Sequence, residues 1–193
     1  MQLTFVKLWE AILGLAAPAS VRPAPAAVVR PAGGRRPRAP LAEVASAASP
    51  DSMAARYEAM TRELLEKHGV RVRKWRSTMS GVAWCVEYRD GRRVRLIEAP
   101  RPTGPMSAAV FCHEIGHHAI GFNVYKPRCL EEYHAWAWAL REMESRGLNV
   151  TEKVRQRMRK SLEYAVAKSL RRGIKSLPAE MEPYIEGAQR YLR

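Results

Sequence analysis

The chain has 193 residues, 47% of them hydrophobic, and a formal net charge of +14. That length suffices for one domain with a real core, and the apolar content excludes a chain disordered throughout. Three cysteines at unpaired positions, Cys85, Cys112 and Cys129, exclude a disulfide framework and favour a reducing compartment.

No run of eighteen apolar residues occurs, so no membrane-spanning helix is expected. The positive charge attracts polyanions such as nucleic acid or anionic membrane through its long-range field. It describes a solvated basic surface equally well, so it names no activity. Residues 1–19 imitate a secretory signal, with Lys7, an apolar stretch and Ala17-Pro18-Ala19, but Glu10 interrupts the stretch. A cytoplasmic location is the expectation, with secretion as the alternative.

Residues 22–50 are dominated by Ala, Pro and Arg, a composition that buries too little apolar surface to offset ordering entropy. Residues 1–50 therefore read as a disordered leader, with a small basic cluster at Arg35, Arg36 and Arg38. A folded domain is expected over 51–147. Asp51 and Ser52 can cap a helix that runs to His68 and stops at Gly69. Met53, Tyr57, Met60 and Leu64 give that helix one apolar face.

The period then shortens to two. Strands are expected over 70–76, 82–88 and 93–98, joined by turns at Ser80-Gly81 and Asp90-Gly91 into a small three-stranded antiparallel sheet. Lys74 and Trp75 reverse the alternation that Val70 and Val72 begin. Arg71, Arg73, Arg76, Arg92, Arg93 and Arg95 make the exposed face basic, and a free edge of such a sheet can hold an extended substrate chain. Pro100, Pro102, Gly104 and Pro105 form a rigid connector to a helix over 105–120, which Gly121 ends. Phe111, Ile115 and Ala119 lie on its core side.

This helix carries His113-Glu114-Ile115-Gly116-His117. Residues four apart lie above one another on a helix, so His113 and His117 can aim two imidazoles at one metal ion. Glu114 sits about 100° round the helix, within reach of a water but not placed as a ligand. The chain has five histidines, and His118 puts a third in this segment. Two imidazoles and a base are the parts of zinc hydrolases, in which the ion acidifies water and the carboxylate takes its proton.

Catalytic zinc sites usually take three protein ligands. The next helix begins Cys129-Leu130-Glu131-Glu132-Tyr133-His134, so Glu132, Glu131, His134 and Cys129 are all candidates. At Glu132-Tyr133-His134-Ala135-Trp136-Ala137-Trp138-Ala139 the chain resembles the ImmA/IrrE-type metallopeptidases, whose second helix reads roughly Glu-x-x-Ala-Asn-x-Phe-Ala. Trp136 replaces the Asn and Trp138 the Phe. The resemblance covers about residues 53 to 145. It implies Glu132 as the third ligand, zinc as cofactor, and a regulatory protease that cuts a protein partner such as a DNA-binding repressor. Glu131 and Glu132 point about 100° apart, so Glu131 is expected on the surface. Trp136 and Trp138 read as core packing, and His118, Tyr125, Tyr133 and His134 as candidate donors to a developing charge.

Residues 148–193 read as a basic helical extension. Thr151 can cap a long helix with Val154, Met158, Leu162, Val166 and Leu170 on one stripe and cations on the other faces. Pro178 opens a last short helix with Met181, Tyr184, Ile185, Ala188 and Tyr191 as its packing face. The whole is expected to be α+β, a small sheet on a zincin-like helical core. A competing expectation is a nucleic-acid-associated protein whose metal site is structural or vestigial.

Overall fold

The computed structural model describes residues 52–192. The leader, the signal-like stretch and Asp51 lie outside the described residues. The first helix, α1, spans Met53–His68. The Ser52 side chain accepts from Ala55 N at 3.2 Å, and Gly69 ends the helix in the left-handed region at φ 59°. Tyr57, Met60 and Leu64 are buried, whereas Met53, expected on the same face, is 43% exposed because it opens the first turn.

Strands β1 (Val70–Arg76), β2 (Val82–Glu87) and β3 (Arg93–Pro100) follow. Their arrangement differs from the expected antiparallel sheet. The order is β1-β3-β2, with β1 parallel and β2 antiparallel to β3. The reason lies in the strand faces. β3 ends in the buried run Ile97-Glu98-Ala99-Pro100 and takes the centre, whereas β1, with Arg71, Arg73 and Lys74 exposed, suits an edge. Residues 77–81 cross over one strand, roughly 10 Å at about 4.8 Å per spacing, within the reach of five residues. The reversed alternation at Lys74 and Trp75 is a register shift between Val72 and Lys74, which leaves Arg73 as the extra residue.

Helix α2 spans Pro105–Ile120 and is buried at every residue from Ser107 to His118. It packs on β2 and β3, and on α1, α3 (Arg128–Ser145) and α4 (Glu152–Arg171). Its buried surface therefore extends well beyond the stripe of Phe111 and Ile115, and Ala108, Ala109 and Gly116 keep the other sides narrow enough for close neighbours. Phe111, Ile97, Leu64, Met143 and Leu162 form the main core, to which α4 also contributes Val154. A smaller core joins Cys129 and Val166 to Met181 and Ala188 under α5 (Glu182–Ala188).

The Thr151 hydroxyl caps α4 by accepting from Val154 N at 3.3 Å. Its second half is buried on more than one face, including Ser161, Glu163, Ala165 and Ala167, because α3 and α5 both pack against it. The C-terminal helical segment has short 3-10 turns on either side of α5, at Ala179–Met181 and Gln189–Tyr191. The architecture is α+β, with five α-helices and one mixed sheet among the described residues. None of those helices is long and apolar enough to cross a membrane.

Candidate metal centre

On α2 the His113 and His117 rings stand 4.7 Å apart at 74°. Helix α3 comes close to that face because residue 116 is glycine: a Cβ there would stand 2.7 Å from the Ala135 carbonyl oxygen. The approach delivers Glu132, whose Oε2 lies 3.3 Å from His113 Nε2 and 3.6 Å from His117 Nε2. The donor atoms of His113, His117 and Glu132 all lie within 4.8 Å of one another, on buried side chains. A four-coordinate ion with bonds near 2.1 Å needs donors about 3.4 Å apart, which the observed spacings suit. These three residues can hold a metal ion.

The other ligand candidates go elsewhere. Cys129 is buried in the smaller core, and the His134 ring packs at a tilt against Tyr125, with centroids 3.9 Å apart. Glu131 corrects the expectation of a surface carboxylate, since it is fully buried. Its Oε2 accepts from Asn123 N at 2.8 Å, and its Oε1 lies 3.0 Å from Arg128 Nη1 and 3.4 Å from His117 Nδ1. Both contacts of Oε1 are ion pairs by distance, without the alignment of a good hydrogen bond. An i,i+3 pair on a helix is worth about 0.2–0.5 kcal/mol, far less than the several kcal/mol needed to bury a carboxylate, so packing economy does not explain Glu131. Arg128 also reaches the other carboxylate, with Nε 3.3 Å from Glu132 Oε1.

Trp136 is fully buried and stacks on His113 with centroids 4.4 Å apart at 24°, so it covers that ring. Trp138 is only partly buried and meets His68 edge-on. Glu114 is 2% exposed and lies directly beneath Gly81, where an added Cβ would overlap its carboxylate.

Burial dominates the charge states. It pushes the Glu114 carboxyl up to about 8 and the His113 imidazole down to about 4. At His117 burial opposes protonation, yet the Glu132 carboxylate and then Glu131 outweigh it and raise the ring to about 10. Burial would also raise Glu132, but the His117 charge and the contacts to both imidazoles hold it well below the usual carboxylate range. Buried polar atoms lacking a hydrogen bond gather here, at His113 Nδ1, Glu114 Oε1, His117 Nδ1 and Trp136 Nε1. A donor set of two imidazoles and an ionised carboxylate, with charge left to satisfy, fits a divalent cation.

Among the candidate donors, His118 is buried with Nε2 3.1 Å from Leu96 O, which ties it to the sheet. A groove of about 540 Å³ opens between one face of the β2–β3 pair and the end of α2, lined by Cys85, Glu87, Arg93, Arg95, His118 and Phe122. Phe122 also lies parallel to the His117 ring, 6.1 Å away. Three residues that shape the centre escape sequence reasoning: Arg128, Gly116 and Gly81. Arg128 has a weak signal in its i,i+3 and i,i+4 spacing to Glu131 and Glu132; the glycines act through contacts with distant backbone or side chains. Comparison with family models, curated proteins and solved structures gave no match.

Proposed function

We propose that this chain is a zinc-dependent metallopeptidase of the ImmA/IrrE type that cleaves a protein partner, for which a DNA-binding repressor is the substrate class the motif resemblance suggests. The observation that carries the reading is the convergence of His113, His117 and Glu132 beside the buried Glu114 carboxylate. Zinc suits a His, His, carboxylate set. When bound, it supplies Lewis acidity, which makes water acidic near neutral pH and polarises a carbonyl.

The remaining work falls to the chain. Glu114 is a carboxyl of raised proton affinity held one residue from His113; once ionised, it takes a proton from the attacking water and returns it to the leaving amine. The buried surroundings strengthen each charge interaction the site makes. Among the described residues, strand β2 is paired only on its β3 side, and Gly81 brings its start onto Glu114. An extended peptide lying along that free edge would therefore pass the base.

The test is made on the full chain loaded with Zn2+ and a proteome-derived peptide library read by mass spectrometry. The parent is expected to cut, and Glu114→Gln to keep one zinc per chain and lose cleavage. Parent-like cutting by the variant would remove Glu114 as the base. A zinc-loaded parent that cuts nothing would remove the peptidase reading.

One observation favours a second reading, nucleic-acid contact: Arg71 and Lys74 on the β1 edge are exposed and have no carboxylate partner among the described residues. Binding of a random oligonucleotide that weakens steeply with added salt would support it.

A further inference from the structure

The geometry points to Arg128 and Glu131 as a positioning pair that fixes how His117 and Glu132 face the metal. The inference rests on the metal centre alone and not on peptide hydrolysis. Arg128 occupies Glu132 Oε1 through Nε at 3.3 Å, which leaves Oε2 as the oxygen turned toward both Nε2 atoms, at 3.3 and 3.6 Å. Glu132 is thereby set to offer one oxygen rather than two. The same guanidinium holds Glu131 Oε1 at 3.0 Å, and that oxygen stands 3.4 Å behind His117, at Nδ1. A negative carboxylate this close behind a ligating imidazole favours the proton on Nδ1, which leaves Nε2 free to bind, and its charge restrains the ring.

Two features separate this role from ordinary helix charge pairing. Glu131 is fully buried and Arg128 is only 23% exposed, so neither is a solvated surface group. Glu131 is also held from a third direction, since its Oε2 accepts from Asn123 N at 2.8 Å. Arg128 lies within the first turn of α3, one turn before both carboxylates, so a single fork reaches both. Lysine has no such fork.

The test uses the full chain with Co2+ and Zn2+, without substrate. Affinity is read by chelator competition, coordination by the visible spectrum of bound Co2+, and folding by the thermal midpoint of the metal-free protein. Glu131→Gln keeps an acceptor for Asn123 N and removes the charge behind His117. It is expected to weaken binding about 10–100-fold, with a metal-free midpoint near the parent's. Arg128→Lys is expected to weaken binding in the same direction and to alter the Co2+ spectrum, because Glu132 is freed to turn its second oxygen inward. If both variants bind within threefold of the parent with its spectrum, the positioning role is overturned and the metal site stands. If the parent binds neither ion, the metal site falls and this inference with it. Loss of peptide cleavage with unchanged metal binding bears on the peptidase reading and contradicts this one.

Discussion

Gly116→Ala sets two physical effects against each other within the metal motif. Alanine is the better helix former, and the change at a free helix position stabilises by about 1 kcal/mol. Here the new Cβ would stand 2.7 Å from the Ala135 carbonyl oxygen and 3.3 Å from the Ala135 carbonyl carbon and Cα. The obstacle is helix backbone, which cannot rotate away as a side chain can, so α3 must move off α2 by roughly 0.7 Å to restore ordinary contact. Overpacking of a well-packed core costs about 1–3 kcal/mol, so the net expectation is a loss of up to about 2 kcal/mol. For a chain of this size that lowers the midpoint by about 5 °C. The same displacement carries Glu132 away from His113 and His117, so metal affinity should fall along with stability. Urea unfolding of the metal-free protein and chelator competition measure the two effects. An alanine variant more stable than the parent, with parent-like affinity, would show that helix propensity wins and that Gly116 does not set the approach of α2 to α3.

At Gly81→Ala the new methyl group overlaps the Glu114 carboxylate, the end of a flexible side chain, so the fold should survive and the base should be displaced; on the proposed mechanism cleavage drops about 10²-fold or more while zinc stoichiometry holds, and parent-like turnover would refute this. Metal uptake near pH 7 should release protons, because the ring of His117 is raised to about 10 and the Glu114 carboxyl to about 8; affinity therefore rises with pH as protons cease to compete, and titration heats that are identical in buffers of different ionisation enthalpy would count against it. Glu114→Leu removes a buried, poorly paired carboxyl and should leave the metal-free protein as stable as the parent or up to about 2 kcal/mol more so, read from urea unfolding; a clear loss of stability would mean that Glu114 supports the fold.

Helix boundaries were legible because their signals are local. Ser52 and Thr151 accept from the backbone three residues ahead, and Gly69 closes α1 in a conformation other residues avoid. Strand positions were legible for the same reason, but strand order was not. Alternation fixes which way side chains point and says nothing about which strand lies between the others. The one usable clue was the contrast between the charged β1 and the apolar end of β3. At the centre, the four-residue spacing on a helix was enough to place His113 beside His117. The surface assignment of Glu131 failed because the separation of neighbouring residues on α3 says which way each points, not what α3 packs against. Both of its flanks are occupied, by His117 of α2 on one side and by the Asn123 loop on the other.

The arrangement is expensive for stability, and that bears on what it is for. An unpaired buried polar group costs about 1–3 kcal/mol, and His113 Nδ1, Glu114 Oε1 and Trp136 Nε1 are three such atoms on two adjoining helices. Their summed cost, roughly 3–9 kcal/mol, is comparable to the whole stability of a typical domain. A fold built only to be stable would place leucine or alanine at these positions, as it does at Ala108, Ala109 and Ala139 on the same two helices. Instead α2, the most buried of the described helices, devotes its last two turns to His113, Glu114, His117 and His118, and glycines at 81 and 116 let neighbouring backbone close over them. Charged groups gathered where water is excluded interact far more strongly than the same groups at a surface. Unpaired buried polar atoms are therefore concentrated at this centre, and a bound dication would balance the carboxylates gathered there.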